Sequence, residues 1–117
     1  MTADDFRQLA LGLPGAIEAS HMGHPDFRVG GRIFATLGYA GDGWGMVQLT
    51  PQEQALFIAI DSEMFVPAKG AWGRSGSTMV RLKAAKKGTL RKALRAAWQH
   101  KALQKPSKAR RPPIAAR

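Results

Sequence analysis

The sequence predicts an α+β domain in which an antiparallel sheet carries helices packed mainly on one face. Three observations lead there. The chain reads helix, strands, helix, strand, helix. Its 117 residues suit one core and leave little room for a second. Between Ile17 and Leu49 the apolar period is that of strands, punctuated by glycine.

The first helix is legible from its ends. Thr2 fits an N-cap with Asp5 at the third helical position, and Asp4 and Asp5 complement the positive end of the helix dipole. Phe6, Leu9, Ala10 and Leu13 recur at helical spacing, and Gly12-Leu13-Pro14 supplies a stop.

Residues 26–29 and 32–37 flank Gly30-Gly31, a two-residue loop that favours the tight primed turns of a hairpin. That turn sets Phe27 opposite Phe34, Val29 opposite Arg32, and Arg28 beside Ile33. Residues 38–45 are too glycine-rich for regular structure and read as a long hairpin loop into a strand over 46–49.

Thr50-Pro51-Gln52-Glu53 combines an N-cap threonine, proline at the first helical position and a capping-box glutamate, so a short helix through Ile60 follows. Residues 61–67 are expected to form an irregular turn, because Pro67 disfavours helix at Val66. Thr78, Val80 and Leu82 alternate as another strand. The last helix is expected over about 89–104, with Leu90, Ala93, Leu94, Ala97 and Trp98 in one arc and Arg91, Lys92 and Arg95 on the far side. Residues 105–117, with three prolines and five cations, read as a disordered basic tail after a domain spanning 1–104.

The chain carries 18 Lys and Arg against 8 Asp and Glu, a formal charge of +10. The charge is divided. Residues 1–68 hold every acidic group and only Arg7, Arg28 and Arg32, whereas residues 69–117 hold fifteen basic groups and no acid. Such asymmetry points to a polyanionic partner. Zero cysteines exclude a disulfide framework, a thiolate nucleophile and Cys-ligated zinc. The longest uninterrupted apolar run is the six residues 55–60, far short of a membrane span. Asp4 and Asp5 stand where a signal peptide needs positive charge, so the protein is expected in the cytoplasm.

No phosphate-binding loop, dinucleotide fingerprint, zinc-protease motif or nucleophile elbow occurs, so no catalytic residue and no cofactor are expected. His21, His24 and Asp26 form the one cluster with metal or acid-base potential. They converge only if the chain turns at residues 23–25, and structural histidines ordering that turn are the plainer reading. The segment 69–77 sets Lys69 and Arg74 around Trp72 among glycines, a pattern in which backbone N–H groups meet phosphate and an indole stacks on a base. Its plain counterpart is a loop with Trp72 plugged into the core. Lys83, Lys86, Lys87, Arg91, Lys92 and Arg95 place six cations within thirteen residues, a single-sign face that helix stability does not require.

Several spaced motifs also carry a resemblance. Leu13-Pro14-Gly15, His21-x-Gly23-His24-Pro25-x-Phe27-Arg28-Val29-Gly30-Gly31-Arg32-Ile33-Phe34-Ala35, Leu49-Thr50-Pro51-x-x-Gln54, Val66-Pro67-Ala68-Lys69-Gly70-Ala71-Trp72-Gly73 and Ala97-Trp98 resemble the bacterial MmcQ/YjbR family. The resemblance implies a CyaY-like fold, related in architecture to frataxin. It also implies DNA binding through paired hairpins described as a double wing. Frataxin-like iron chemistry does not transfer, because the first helix lacks an acidic ridge.

The expected function is therefore that of a small, monomeric, non-catalytic domain that binds nucleic acid, DNA first, largely independently of sequence. Lys69, Trp72, Arg74 and Arg81 lead the expected contacts, followed by Arg28 and Arg32, and then by Arg91, Lys92 and Arg95. The alternative is a protein- or small-ligand-binding module with a pocket around His21, His24, Phe27 and Trp72.

Overall fold

The computed structural model describes residues 1–38 and 41–104, so the expected tail lies outside the described residues. The elements are α1 (Ala3–Leu11), β1 (Ile17–His21), β2 (His24–Val29), β3 (Arg32–Leu37), β4 (Trp44–Gln48), α2 (Pro51–Ile60), β5 (Phe65–Pro67), α3 (Gly70–Arg74), β6 (Ser77–Arg81) and α4 (Lys87–Leu103), with a 3-10 turn at Leu82–Ala84. The strands form one six-stranded antiparallel sheet in the order β1-β2-β3-β4-β6-β5. Among the described residues, no helix is long and apolar enough to cross a membrane.

Both capping boxes form. The Thr2 side chain accepts from the Asp5 N–H while the Asp5 carboxylate accepts from the Thr2 N–H, and Thr50 and Glu53 repeat the exchange at the start of α2. The cation-rich α4 starts differently, with Lys86 at its N-cap and no side-chain cap. Its place is fixed by burial of Leu90, Ala93, Leu94 and Ala97.

Antiparallel pairing assigns each residue to a face. Phe27, Ala35 and Val47 stand in one row, and Leu37, Gly45, Val80 and Phe65 in a second. These rows join Phe6 and Ala10 of α1, Phe57 of α2 and the buried stripe of α4 in a single core. Phe6 packs on Phe27 with ring centroids 6.1 Å apart, and Phe57 on Phe65 at 5.4 Å. The opposite face carries the row Ala19, Asp26, Thr36, Met46, Met79 and Val66, one residue from every strand. None of these belongs to the core cluster.

Five local expectations give way to the structure. A β-bulge between Phe27 and Arg28 pairs Phe27 with Ala35, so Phe34 does not face Phe27, while the Arg28–Ile33 and Val29–Arg32 pairs hold as expected. The first hairpin turns at Met22-Gly23, both left-handed at φ 54° and 79°, instead of at residues 23–25. Residues 65–67 are not irregular but form edge strand β5, where the missing N–H of Pro67 is tolerated. The segment around Trp72 is a short helix and not a loop, and Trp44 opens β4.

Candidate functional site

The face of the sheet away from the core carries a cleft of about 400 Å³. Thr36, Met46, Gln48 and Ser77 form its floor, from three adjacent strands. The β3 bulge brings Ile33 to the same side as Thr36, although three residues of regular strand would set them on opposite faces. Trp72 of α3 and Ser75 at its C-cap wall one side, and His100 and Lys101 of α4 wall the other.

The floor is polar and incompletely satisfied. Ser77 Oγ donates to Gln48 Oε1 at 2.7 Å, while Gln48 Nε2 reaches only Met46 Sδ at 3.8 Å, a weak acceptor. Thr36 is buried, and its hydroxyl has no hydrogen-bond partner among the described residues. Replacing Thr36 with valine keeps the side-chain shape and removes this orphan. It is expected to raise stability by about 1 kcal/mol, a gain of roughly 3–6 °C in Tm by thermal denaturation.

Beside the cleft, Asp26 is fully buried and held by two neighbours. Arg28 Nε donates to Oδ1 at 2.8 Å and its Nη2 to Oδ2 at 3.1 Å, and His21 Nδ1 donates to Oδ2 at 3.1 Å. The Arg28 hydrogen bonds hold the Asp26 carboxyl below the usual carboxylate range against the opposing effect of burial, with His21 adding to them. On the far wall, burial pushes the Lys101 ammonium below its ordinary pKa, and the nearby charge of Arg32 adds to the shift.

The family model described as YjbR matches residues 11–100. The chain belongs to the YjbR family. No curated protein matches it. Among solved structures, this YjbR chain is similar to the crystal structure of Deinococcus radiodurans protein DR2400, which carries a DUF419 domain. The TM-score is 0.74 at 19% identity, covering 92% of this chain and 83% of that one, a likeness of fold.

The expected contact residues of the YjbR chain fall into three places. Trp72 lines the cleft and is 61% exposed, so it does not plug the core. Lys69 and Arg74, at the two ends of its helix, are exposed as well. Arg32, half-buried at the start of β3, is close enough for its charge to help lower the Lys101 pKa, and Arg28 is engaged by Asp26. Arg81 sits over the Trp44 ring at 4.7 Å and donates from Nε to the Glu63 carbonyl at 3.1 Å. Arg91, Lys92 and Arg95 are exposed on α4, on the side away from its buried stripe and so in a different place from the cleft.

The residues of the expected pocket separate. His21 and Trp72 border one cleft, whereas His24 borders a second cavity with Leu37, Gly38 and Trp44. Phe27 is fully buried against Phe6 on the core face and cannot line either. His21 and His24 close a hairpin as cross-strand partners, but no group of three metal-ligating side chains occurs among the described residues.

The glycines of the Trp72 segment serve the fold more than a ligand. A Cβ on Gly73 would overlap the Ala68 carbonyl and one on Gly76 the Leu49 carbonyl, while Gly70 faces open space. Sequence reasoning missed His100 and Lys101. The signal was present, since Lys101 follows Ala97 by four and continues the stripe of Leu90, Leu94 and Ala97 where an apolar residue is expected.

Proposed function

We propose that this YjbR-family chain is a small, non-catalytic nucleic-acid-binding domain, with DNA as its partner, acting through its basic half and reading little sequence. One observation carries the reading. Between Lys69 and Lys101, only Lys86 pairs with a carboxylate among the described residues, at 2.8 Å from Asp61. The acidic half behaves oppositely, since Arg7 is paired with Asp4 and Glu18 and Arg28 with Asp26. Cations without a carboxylate partner keep their charge for phosphates, and phosphate neutralisation releases counterions from the nucleic acid.

The CyaY-like, double-wing description belongs to this proposal. The β2–β3 hairpin and the β5–α3–β6 unit serve as the two wings, and Lys69, Trp72 and Arg74 stand at the second. Phosphate contacts dominate, so affinity is set by charge and register by shape.

Charge reversal tests it. Arg91→Glu with Lys92→Glu and Arg95→Glu, and separately Lys69→Glu with Arg74→Glu, are each expected to weaken binding of a labelled DNA duplex by roughly 10- to 100-fold at low salt. Fluorescence anisotropy reads the loss. Wild-type affinity in both variants would contradict the proposal.

A further inference from the structure

We infer that the cleft on the open sheet face is a site for one unstacked nucleobase and its phosphate, with the base against Trp72 and the phosphate at Lys101. The ligand chemistry is that of an aromatic base bearing a phosphate. A free nucleotide and one unpaired residue of a strand both supply it, and only the strand source rests on the function proposed above.

Size comes first. A cleft of about 400 Å³ falls in the range of small-molecule sites, and a stacked duplex cannot place a base in it. An exposed indole on its wall offers a π-face to any base. The floor supplies what a base edge requires. Gln48 Nε2 is a donor held only by a thioether, Ser77 Oγ both donates and accepts, and the Thr36 hydroxyl is unpartnered. Rotation of Thr36 about χ1 exchanges its methyl and hydroxyl, so the orphan group can turn toward a ligand.

Charge fixes the other end of the ligand. Lys101 lines the cleft and is partly buried, and burial, with the charge of Arg32 adding to it, raises the cost of its ammonium, a cost that an anion in the cleft relieves. His100 stands beside Lys101 on the same wall. The buried carboxylate of Asp26 is already ion-paired with Arg28 and hydrogen-bonded to His21, so little free charge is left to repel a phosphate. Aromatic wall, polar floor and cationic wall thus meet in the order of base, base edge and phosphate.

The test titrates the full chain with adenosine 5′-monophosphate, adenosine and inorganic phosphate, following backbone amides by NMR. A single-stranded oligonucleotide and a duplex of equal length are titrated in parallel by anisotropy. The monophosphate is expected to shift the amides of Thr36, Gln48, Ser77 and Lys101, and to bind about tenfold more tightly than adenosine or phosphate. Trp72→Ala and Lys101→Met are each expected to weaken it by about tenfold, and Trp72→Phe to retain most of the affinity. Both positions are at least partly exposed, and a thermal melt of each variant confirms folding. Trp72→Ala is further expected to weaken the single strand by about tenfold and the duplex by less than twofold. Absent cleft shifts, or wild-type nucleotide affinity in folded Trp72→Ala, would overturn the site whether or not the duplex binds. Cleft shifts with no binding of either polymer would sustain the site and overturn the nucleic-acid function.

Discussion

Replacing Gly76 with alanine is expected to destabilise the domain by about 4 kcal/mol, from overpacking and backbone strain together. Gly76 adopts φ +112°, and a Cβ there would overlap the Leu49 carbonyl. The contact cannot relax cheaply. Gly76 and Leu49 are joined by a backbone hydrogen bond of 3.2 Å, in which the Leu49 N–H donates to the Gly76 carbonyl, and the Gly76 N–H donates to Gly73 at 3.1 Å. Gly70→Ala is the control, since Gly70 also has positive φ, at +67°, but faces open space. It is expected to cost about 1 kcal/mol. Urea unfolding should therefore show a large fall in the midpoint for Gly76→Ala and a small one for Gly70→Ala, with m unchanged. Equal midpoints would show that close packing around β6 does not hold α3 in place. Because α3 carries Trp72, the same substitution is expected to disturb the cleft before the rest of the sheet.

Asp26→Asn is expected to cost about 3 kcal/mol at pH 7, because it removes the charge of a fully buried carboxylate that the half-buried Arg28 guanidinium and His21 hold. The sign of the pH dependence follows from the direction of the shift. The folded-state pKa of Asp26 lies below its ordinary 3.8, so the stability from its charge is complete above that value. It is lost as pH falls through the folded pKa. The gap between wild type and Asp26→Asn should thus be widest at neutral pH and close as the solution becomes more acidic than the ordinary carboxyl range. Urea midpoints taken across the acid range read both limbs. A gap independent of pH would assign the cost to geometry instead of charge. Asp61, whose carboxylate is likewise held low by Lys86, lies on an exposed contact and adds little to this slope.

Which parts of the molecule were legible in the sequence follows from how local their causes are. Two capping boxes mark α1 and α2 within four residues each, and Gly30-Gly31 marks the β2–β3 turn, so these elements appear where the residues dictate. The bulge at Phe27/Arg28 has no local signature. It arises because the consecutive residues Phe34 and Ala35 are both buried in the core, while Ile33 and Thr36 on either side of them turn to the cleft, a demand of tertiary packing. The helix α3 was hidden for a related reason. Its glycines read as flexibility, yet Gly73 and Gly76 are there because neighbouring carbonyls leave no room for a side chain.

The candidate site divides in the same way. Trp72, Lys69 and Arg74 stood out as an aromatic between cations in one short segment. Thr36, Gln48 and Ser77 did not, because each is an ordinary strand residue whose meaning comes from cross-strand register. Phe27 was drawn into the expected pocket by its closeness in sequence to His21 and His24, but strand alternation sends it to the core face. The cations of α4 were correctly placed on its solvent side, and the separation of that side from the cleft emerges only from the packing of Leu90, Ala93, Leu94 and Ala97 on the sheet.

The division of charge has a direct experimental reading. If about five to eight phosphates are engaged, the affinity for duplex DNA should fall with a log–log salt slope of roughly −4 to −7. A titration between about 50 and 200 mM monovalent salt would then span a loss of roughly 250- to 16,000-fold. Binding at the low end with a slope in that range is the result predicted for a basic half that neutralises phosphates. No measurable binding at about 50 mM salt, or affinity indifferent to salt, would contradict it.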